Sequence, residues 1–245
     1  MLENLLMIKN EIVVSLITAR SGSKRVPNKN LRKFQGLSLI GWSCRAAGMS
    51  QFVDYNFIST DSHEYADEAK IFGVESIMRP KNISSDLSSS SEAIIHAYNF
   101  ISKSINKEIR YLVLLQPTSP LRDRGLIDGC IKKLSEDKNA DQLIEFCELN
   151  HFTYSKSGNY VIPDFDEDTR SQDIPTKYVP SGRIFIYDMQ KISSKKFDFN
   201  SLITLPVIGP DIVDNINIDV ESDFMKLELV YQKYSEKYNY LTNIF

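Results

Sequence analysis

Between residues 12 and 17 the chain reads IVVSLI, an almost uninterrupted apolar and β-branched run. A strand with one wet face alternates apolar and polar residues, so this run predicts a strand covered on both faces, as in a parallel sheet. The period then changes. Leu37, Leu39, Ile40, Trp42, Ala46, Ala47 and Met49 recur at helical spacing and predict a first crossover helix over 37–49, with Trp42 as a core anchor. The two patterns go on alternating: short strands over 55–58 and 74–78, a helix over 63–72 closed by Gly73, a helix over 92–101, a wholly apolar strand over 111–115, a helix over 126–134 and a strand over 142–147. Such alternation predicts an α/β fold built on a doubly wound, mostly parallel sheet with right-handed crossovers.

The rhythm breaks after Glu148. Tyr154, Tyr160 and Phe165 stand among prolines and glycines, with no helical period as far as Pro180. This segment predicts a small β-rich arm that closes a site or clasps a second subunit; an arm of this composition needs something to bury against, so a homodimer is expected. Strand character returns over 183–187, runs through 202–207 and ends in a final strand over 212–218, followed by an acidic helix start at Asp219, Glu221 and Asp223. The chain thus divides into an α/β core at 1–148, an arm at 149–182 and a return to the core at 183–245.

Composition narrows the partners. A chain of 245 residues with 42% hydrophobic content builds one large core. A net charge of −3 gives no global attraction to nucleic acid or to an anionic membrane, so positive charge in any one loop is local and suits a small anion. Cys44, Cys130 and Cys147 are odd in number and far from any C-x-x-C spacing, which argues against a disulfide framework and a zinc site and for reduced core residues in the cytoplasm. The start, MLENLLMIKN, has too short an apolar run and no small-residue cleavage site for a signal peptide; Met7 is an alternative start, and nothing later is long enough to span a bilayer. His63, His96 and His151 have no metal-like partner at helical spacing.

The candidate chemistry lies at strand ends. After the first strand come Arg20, Ser21, Gly22, Ser23, Lys24 and Arg25, then Asn28, Lys29 and Asn30. Cations and backbone N–H groups compressed at the carboxyl end of a first strand form an anion cradle. The loop lacks the second glycine of G-x-x-x-x-G-K-[ST] and two of the three glycines of G-x-G-x-x-G, which disfavours a P-loop enzyme and a nicotinamide oxidoreductase. Arg79, fixed by Pro80, is a second contact at the same edge, and the serine-rich stretch 82–91 supplies hydroxyls and a helix N-terminus. Pro117 and Pro120 lock a polar turn that presents Gln116, Thr118 and Ser119. Asp61 reads as the N-cap of the helix that follows it. Asp219, at the end of the final strand, is placed to hold a metal.

Together the segments ARSGSKRVPNKN, MRP, SSD, LLQPTSPLR, PSG and INIDVESDF, in this order over essentially the whole chain, resemble the cytidylyltransferases that make CMP-sialic acids, the CMP-N-acetylneuraminate synthetases and relatives acting on legionaminic or pseudaminic acid. The resemblance implies a Rossmann-like fold of the nucleotide-diphospho-sugar transferase type, and a transferase that joins CTP to the anomeric hydroxyl of a keto-acid sugar and releases pyrophosphate. It implies Ala19, Arg20, Ser21, Gly22, Ser23 and Lys24 around the phosphates, with Arg20, Lys24 and Asp219 catalytic. Asn30, Arg79, Ser85 and Ser88 would hold the cytidine. Gln116, Thr118 and Ser119 would face the sugar together with Arg170, Tyr178, Ser181 and Gly182, Arg170 taking its carboxylate. Asp219 and Asn217 would carry Mg²⁺ or another divalent cation. The chain departs from the family pattern at Asn217, where an aspartate is usual, at Val179, where an arginine is expected, and at Tyr154, which stands where the arm lysine would be, with Lys156 two further on. The related Kdo cytidylyltransferases carry an acidic residue in the turn that is QPTSP here. An octulosonic-acid enzyme, or a CTP-binding homologue without turnover, is the alternative.

Overall fold

The computed structural model describes residues 8, 10–84 and 88–242. In chain order the elements are β1 (Ile12–Ala19), the two-residue pair β2 (Lys33–Phe34) and β3 (Leu37–Ser38), α1 (Leu39–Gly48), β4 (Tyr55–Thr60), α2 (His63–Lys70) and β5 (Glu75–Met78). There follow α3 (Ser90–Ile105), β6 (Ile109–Leu115), α4 (Leu126–Glu136), β7 (Gln142–Leu149), β8 (Tyr154–Ser157) and β9 (Tyr160–Pro163). The chain then runs through β10 (Lys177–Asp188), α5 (Met189–Ser194), β11 (Thr204–Ile208), α6 (Glu221–Lys233) and α7 (Ser235–Thr242).

Seven strands form one sheet in the order β11-β7-β10-β6-β1-β4-β5. β1 pairs parallel with both β4 and β6, β4 with β5, and β11 with β7; β10 alone runs antiparallel to its neighbours β6 and β7. The chain moves from β1 outward through β4 and β5, then returns to lay β6 on the other side of β1. At that reversal the loops after β1 and β6 diverge to opposite faces and leave a crevice at the carboxyl edge, the place where open α/β sheets bind ligands.

β1 is mostly apolar because both its faces are covered. Val13 and Ile17 join a core with Trp42, Ile58, Ile127 and Phe224, whereas Val14 and Leu16 pack with Phe57, Ile94 and Ile101 on the opposite face. Ser15, the one polar residue in the run, is buried and donates to Asn56 Oδ1 at 2.6 Å. Trp42 anchors α1 as its sequence position predicts, donating from its indole N–H to the Phe34 carbonyl at 3.0 Å. The helix itself starts two residues later than the spacing suggests, since Leu37 and Ser38 pair with β2 and the Ser38 hydroxyl caps α1 by accepting from Gly41 N. All three cysteines are unpaired and buried, and burial pushes the Cys44 and Cys130 thiols up to about 12.

Two expectations change. The strand foreseen over 183–187 is the inner half of the twelve-residue β10, whose outer half, from Lys177, pairs with the far end of β7. The strand expected over 212–218 is no strand: Ile216 and Ile218 are buried in the core, and Ile218 N donates to the Thr118 carbonyl at 2.8 Å, but the segment joins no ladder of the sheet. Asp211 bends the chain first, its side chain accepting from Val213 N and its carbonyl from the N–H of Asp214 and of Asn215. Between β7 and β10, β8 and β9 form an antiparallel hairpin whose residues are all exposed.

Candidate active site

A cavity of about 560 Å³ opens at the crevice between the loops after β1 and β6. The β1 loop sends in Arg20, Ser23, Lys24 and Arg25; the turn at Lys29–Leu31 adds Lys29 and Asn30. Asn28, in the left-handed region at φ 51°, turns the chain so that Lys29 and Asn30 face back toward the loop. Gln116 and Thr118 enter from the β6 side, and Asn217 and Asp219 from the extended segment before α6. Residues distant in the chain thus place four cations opposite one carboxylate. Lys29 Nζ lies 3.1 Å from Asp219 Oδ1 and donates to the Ile218 carbonyl at 2.6 Å, and Arg25 lies 3.3 Å from the same carboxylate oxygen. Asn30 is 5% exposed, and its Oδ1 is a buried acceptor with no protein partner, a group that a ligand's donor would satisfy.

A smaller cavity of about 190 Å³ shares Thr18 and Arg20 with the first and adds Arg79, Ser88 and Ser89. Arg79 is fixed by three bonds to the end of β4: its Nε and Nη2 donate to the Ser59 hydroxyl and carbonyl, and its backbone N–H to the Thr60 carbonyl. Burial lowers its pKa, with Arg20 acting in the same sense and Asp61 opposing. Ser89 caps α3 in a reciprocal box with Glu92, which brings the N-terminus of a sixteen-residue helix to this cavity. Ser85 lies outside the described residues.

Other residues expected at the site stand behind it or apart from it. Ala19 is buried at the strand end, and Gly22 follows the loop turn beside the Arg20 guanidinium. Both donors of Ser21 are engaged by Asp61, the N–H to Oδ1 at 2.8 Å and the hydroxyl to Oδ2 at 2.9 Å. Asp61 is therefore not the cap of α2; Ser62 is, accepting from Tyr65 N. Ser119 and Ser181 are buried and bonded to protein, Ser119 to the Ser181 carbonyl at 3.3 Å and Ser181 to Glu145 Oε2 at 2.6 Å. Gly182, at φ 78°, presses on the turn from behind: a Cβ there would meet Ser119 Oγ at 2.5 Å and Gln116 Oε1 at 3.1 Å. Tyr178 is exposed on the outer half of β10 against the Phe146 ring. Arg170 is exposed and paired with Asp173 at 2.6 Å, lining neither cavity.

The turn that carries Gln116 is locked from below by Arg122, the last residue of the segment LLQPTSPLR. Arg122 is fully buried and donates to the carbonyls of Arg183 and Gln116 and to the Ser43 hydroxyl. Burial, and then the Arg183 charge, brings its pKa down to about 9.

A family model described as cytidylyltransferase matches residues 14–205. The chain belongs to the cytidylyltransferase family. Among curated relatives it is 27% identical over 237 residues to an N-acylneuraminate cytidylyltransferase of Escherichia coli, covering 90% of this chain and 52% of that protein. It is 27% identical over 220 residues to a pseudaminic acid cytidylyltransferase of Campylobacter jejuni, covering 86% of this chain and 94% of that one. The chain thus spans about half the length of the N-acylneuraminate relative and nearly all of the pseudaminic acid one. In fold it is similar to a CMP-2-keto-3-deoxy-manno-octonic acid synthetase solved with CTP, at TM-score 0.65 and 15% identity over 91% of this chain and all of that one. A 4-diphosphocytidyl-2C-methyl-D-erythritol synthase from Anaerococcus prevotii superposes at TM-score 0.66 and 13% identity, over 93% and 99% of the two chains.

The sequence placed Lys29 in the cationic loop without a role of its own and read Asp61 as a helix cap, neither as a residue of the site. Lys29 had a signal, since it sits between two asparagines in the cationic loop; Asp61 had none that separates it from the serine beside it.

Proposed function

We propose that this chain is a cytidylyltransferase that joins CTP to the anomeric hydroxyl of a nonulosonic, sialic-acid-like keto-acid sugar, giving the CMP-sugar and pyrophosphate. The observation that carries this reading is the convergence of Arg20, Lys24, Lys29, Gln116 and Asp219 on one cavity at the strand-order reversal, in a member of this family. Nucleotidyl transfer asks little covalent chemistry of a protein; it asks for positive charge on the phosphates and an aligned attacker. The anomeric oxygen attacks the α-phosphorus, the bond to the β,γ-pyrophosphate breaks, and the hydroxyl loses its proton.

In this assignment Arg20, Ser23 and Lys24 hold the phosphates, and Lys24 offsets charge on the departing pyrophosphate. The smaller cavity, with Arg79, Ser88 and the α3 N-terminus, takes the cytidine with Asn30. Gln116 and Thr118 meet the sugar, with Ser119, Ser181 and Gly182 shaping the turn beneath them. Asp219 and Asn217 offer a carboxylate and an amide oxygen, hard donors that suit Mg²⁺ when phosphate and water oxygens complete its shell. Mg²⁺ bound there would neutralise phosphate charge and favour ionisation of the attacking hydroxyl. Lys29 and Arg25, now on Asp219 Oδ1, hold that carboxylate in place at the cavity mouth.

The arm, 149–182, supports a homodimer. Tyr154, Tyr160, Val161, Ile162 and Tyr178 are each exposed, Tyr154 and Val161 on one face of the hairpin, Tyr160 and Ile162 on the other and Tyr178 on outer β10, apolar groups that a second copy would cover and that would set Arg170 and Tyr178 against a neighbouring site. Three buried, unpaired thiols suit the reducing cytoplasm. Two tests apply: pyrophosphate release from CTP and Mg²⁺ with N-acetylneuraminate, legionaminate, pseudaminate and Kdo, and mass in solution. Release with Kdo alone would replace the nonulosonic reading by the octulosonic one, and CTP binding without release from any sugar would make the chain a binding homologue.

A further inference from the structure

Asp61 has no role in the assignment above, yet it holds the β1 loop through both of its carboxylate oxygens, across forty residues of sequence. β1 and β4 run in register, with Ala19 opposite Thr60, so the residues just past each strand end face one another. Asp61 cannot drift. Ser62 beside it caps α2 and donates its backbone N–H to the Thr60 hydroxyl, and Arg79 is bonded to Ser59 and Thr60 on the other side. From that fixed point one carboxylate oxygen takes the Ser21 N–H and the other its hydroxyl. The Ser21 carbonyl in turn accepts from Ser23 N at 2.8 Å, and Ser23 and Lys24 are the next residues to line the main cavity.

We infer that Asp61 is a positioning residue that clamps Ser21 and so presets the β1 loop for the CTP phosphates, and that Ser21 serves the loop's shape rather than the ligand. This inference rests on the CTP reading. The placement is informative because electrostatics alone argues against it: a carboxylate near Arg20 and Arg79 opposes an incoming polyanion. A group that disfavours the ligand by charge and is nonetheless bonded twice to the loop acts through geometry. Preorganisation lowers the ordering that binding would otherwise require.

The sign of the effect separates the two roles. Asp61→Ala removes the clamp and the negative charge together; Asp61→Asn removes the charge but keeps an acceptor for the Ser21 N–H. If Asp61 positions the loop, calorimetric titration with CTP and Mg²⁺ gives binding weaker by about 10–100-fold in Asp61→Ala and by less in Asp61→Asn, the range expected for losing hydrogen bonds to a charged group. Equal or tighter binding in both variants would overturn the proposal, since relief of repulsion would then be the whole effect. Amide hydrogen exchange in the ligand-free protein gives a readout independent of CTP. Residues 20–24 should exchange faster in Asp61→Ala while β1 and β6 stay protected, and unchanged exchange there would equally overturn the clamp. Failure of the wild-type protein to bind CTP would instead remove the nucleotide reading, with the exchange result still deciding whether Asp61 holds the loop.

Discussion

At the residue scale the site is built by groups that mostly do not face its ligand. Arg122, Ser119, Ser181, Glu145 and Gly182 form a buried support under Gln116, and their hydrogen bonds are to one another, to backbone and, from Arg122, to the Ser43 hydroxyl. Glu145 stands opposite the point where β10 slips register between Pro180 and Phe185, 2% exposed, with Ser181 bonded to it and Arg183 3.5 Å away. Gly182→Ala would force a left-handed alanine into Ser119 and Gln116. We expect a loss of about 1–3 kcal/mol in chemical denaturation and a raised sugar KM with CTP binding little changed. Asp219→Ala should lower turnover by about 100-fold or more while leaving the melting temperature close to wild type; retained turnover would move the metal elsewhere. The thiols yield a pH prediction. Above the ordinary value of 9.0 the unfolded chain loses the Cys44 and Cys130 protons, whereas burial holds them in the folded protein up to about 12. The folded state then binds more protons, so stability falls as pH rises from about 9 toward 12, which denaturation series at stepped pH will read.

At the scale of elements, β1 and the helices over the sheet were legible because period and burial coincide: a strand covered on both faces has no polar alternation to hide it. Direction and pairing were not. The apolar run at 183–187 looks alike in a parallel or an antiparallel strand, and what reverses β10 is the excursion through the hairpin before it. Ile212, Ile216 and Ile218 repeat at even spacing as a strand would, but local bonds to Asp211 take the backbone groups a ladder needs. Asp61 shows the same limit. In Ser59-Thr60-Asp61-Ser62 every residue type caps helices well, and only the neighbouring loop decides that Ser62 caps while Asp61 clamps. The arm gives this scale its prediction. Tyr160→Asp or Val161→Asp, on exposed strand β9, should convert a dimeric mass to a monomeric one by light scattering without unfolding the α/β core; a wild-type monomer at micromolar concentration would remove the dimer.

For the whole molecule, one sheet edge gathers the chemistry. The loops after β1, β5 and β6 and the segment before α6 supply cations, hydroxyls, an amide and a carboxylate to two cavities joined by Thr18 and Arg20. The cationic part of this edge was readable because its residues are close in sequence and carry charge. The residues proposed for the sugar were less so, since Arg170 and Tyr178 lie on the arm and line neither cavity within one chain. The proposed reaction is transfer of CMP to a nonulosonic acid. A coupled pyrophosphate assay with CTP, Mg²⁺ and a panel of nonulosonic acids and Kdo tests it most directly. Pyrophosphate release should require a nonulosonic acid and rise with its concentration, and release from none of these acids by a protein that binds CTP would contradict the proposed transfer.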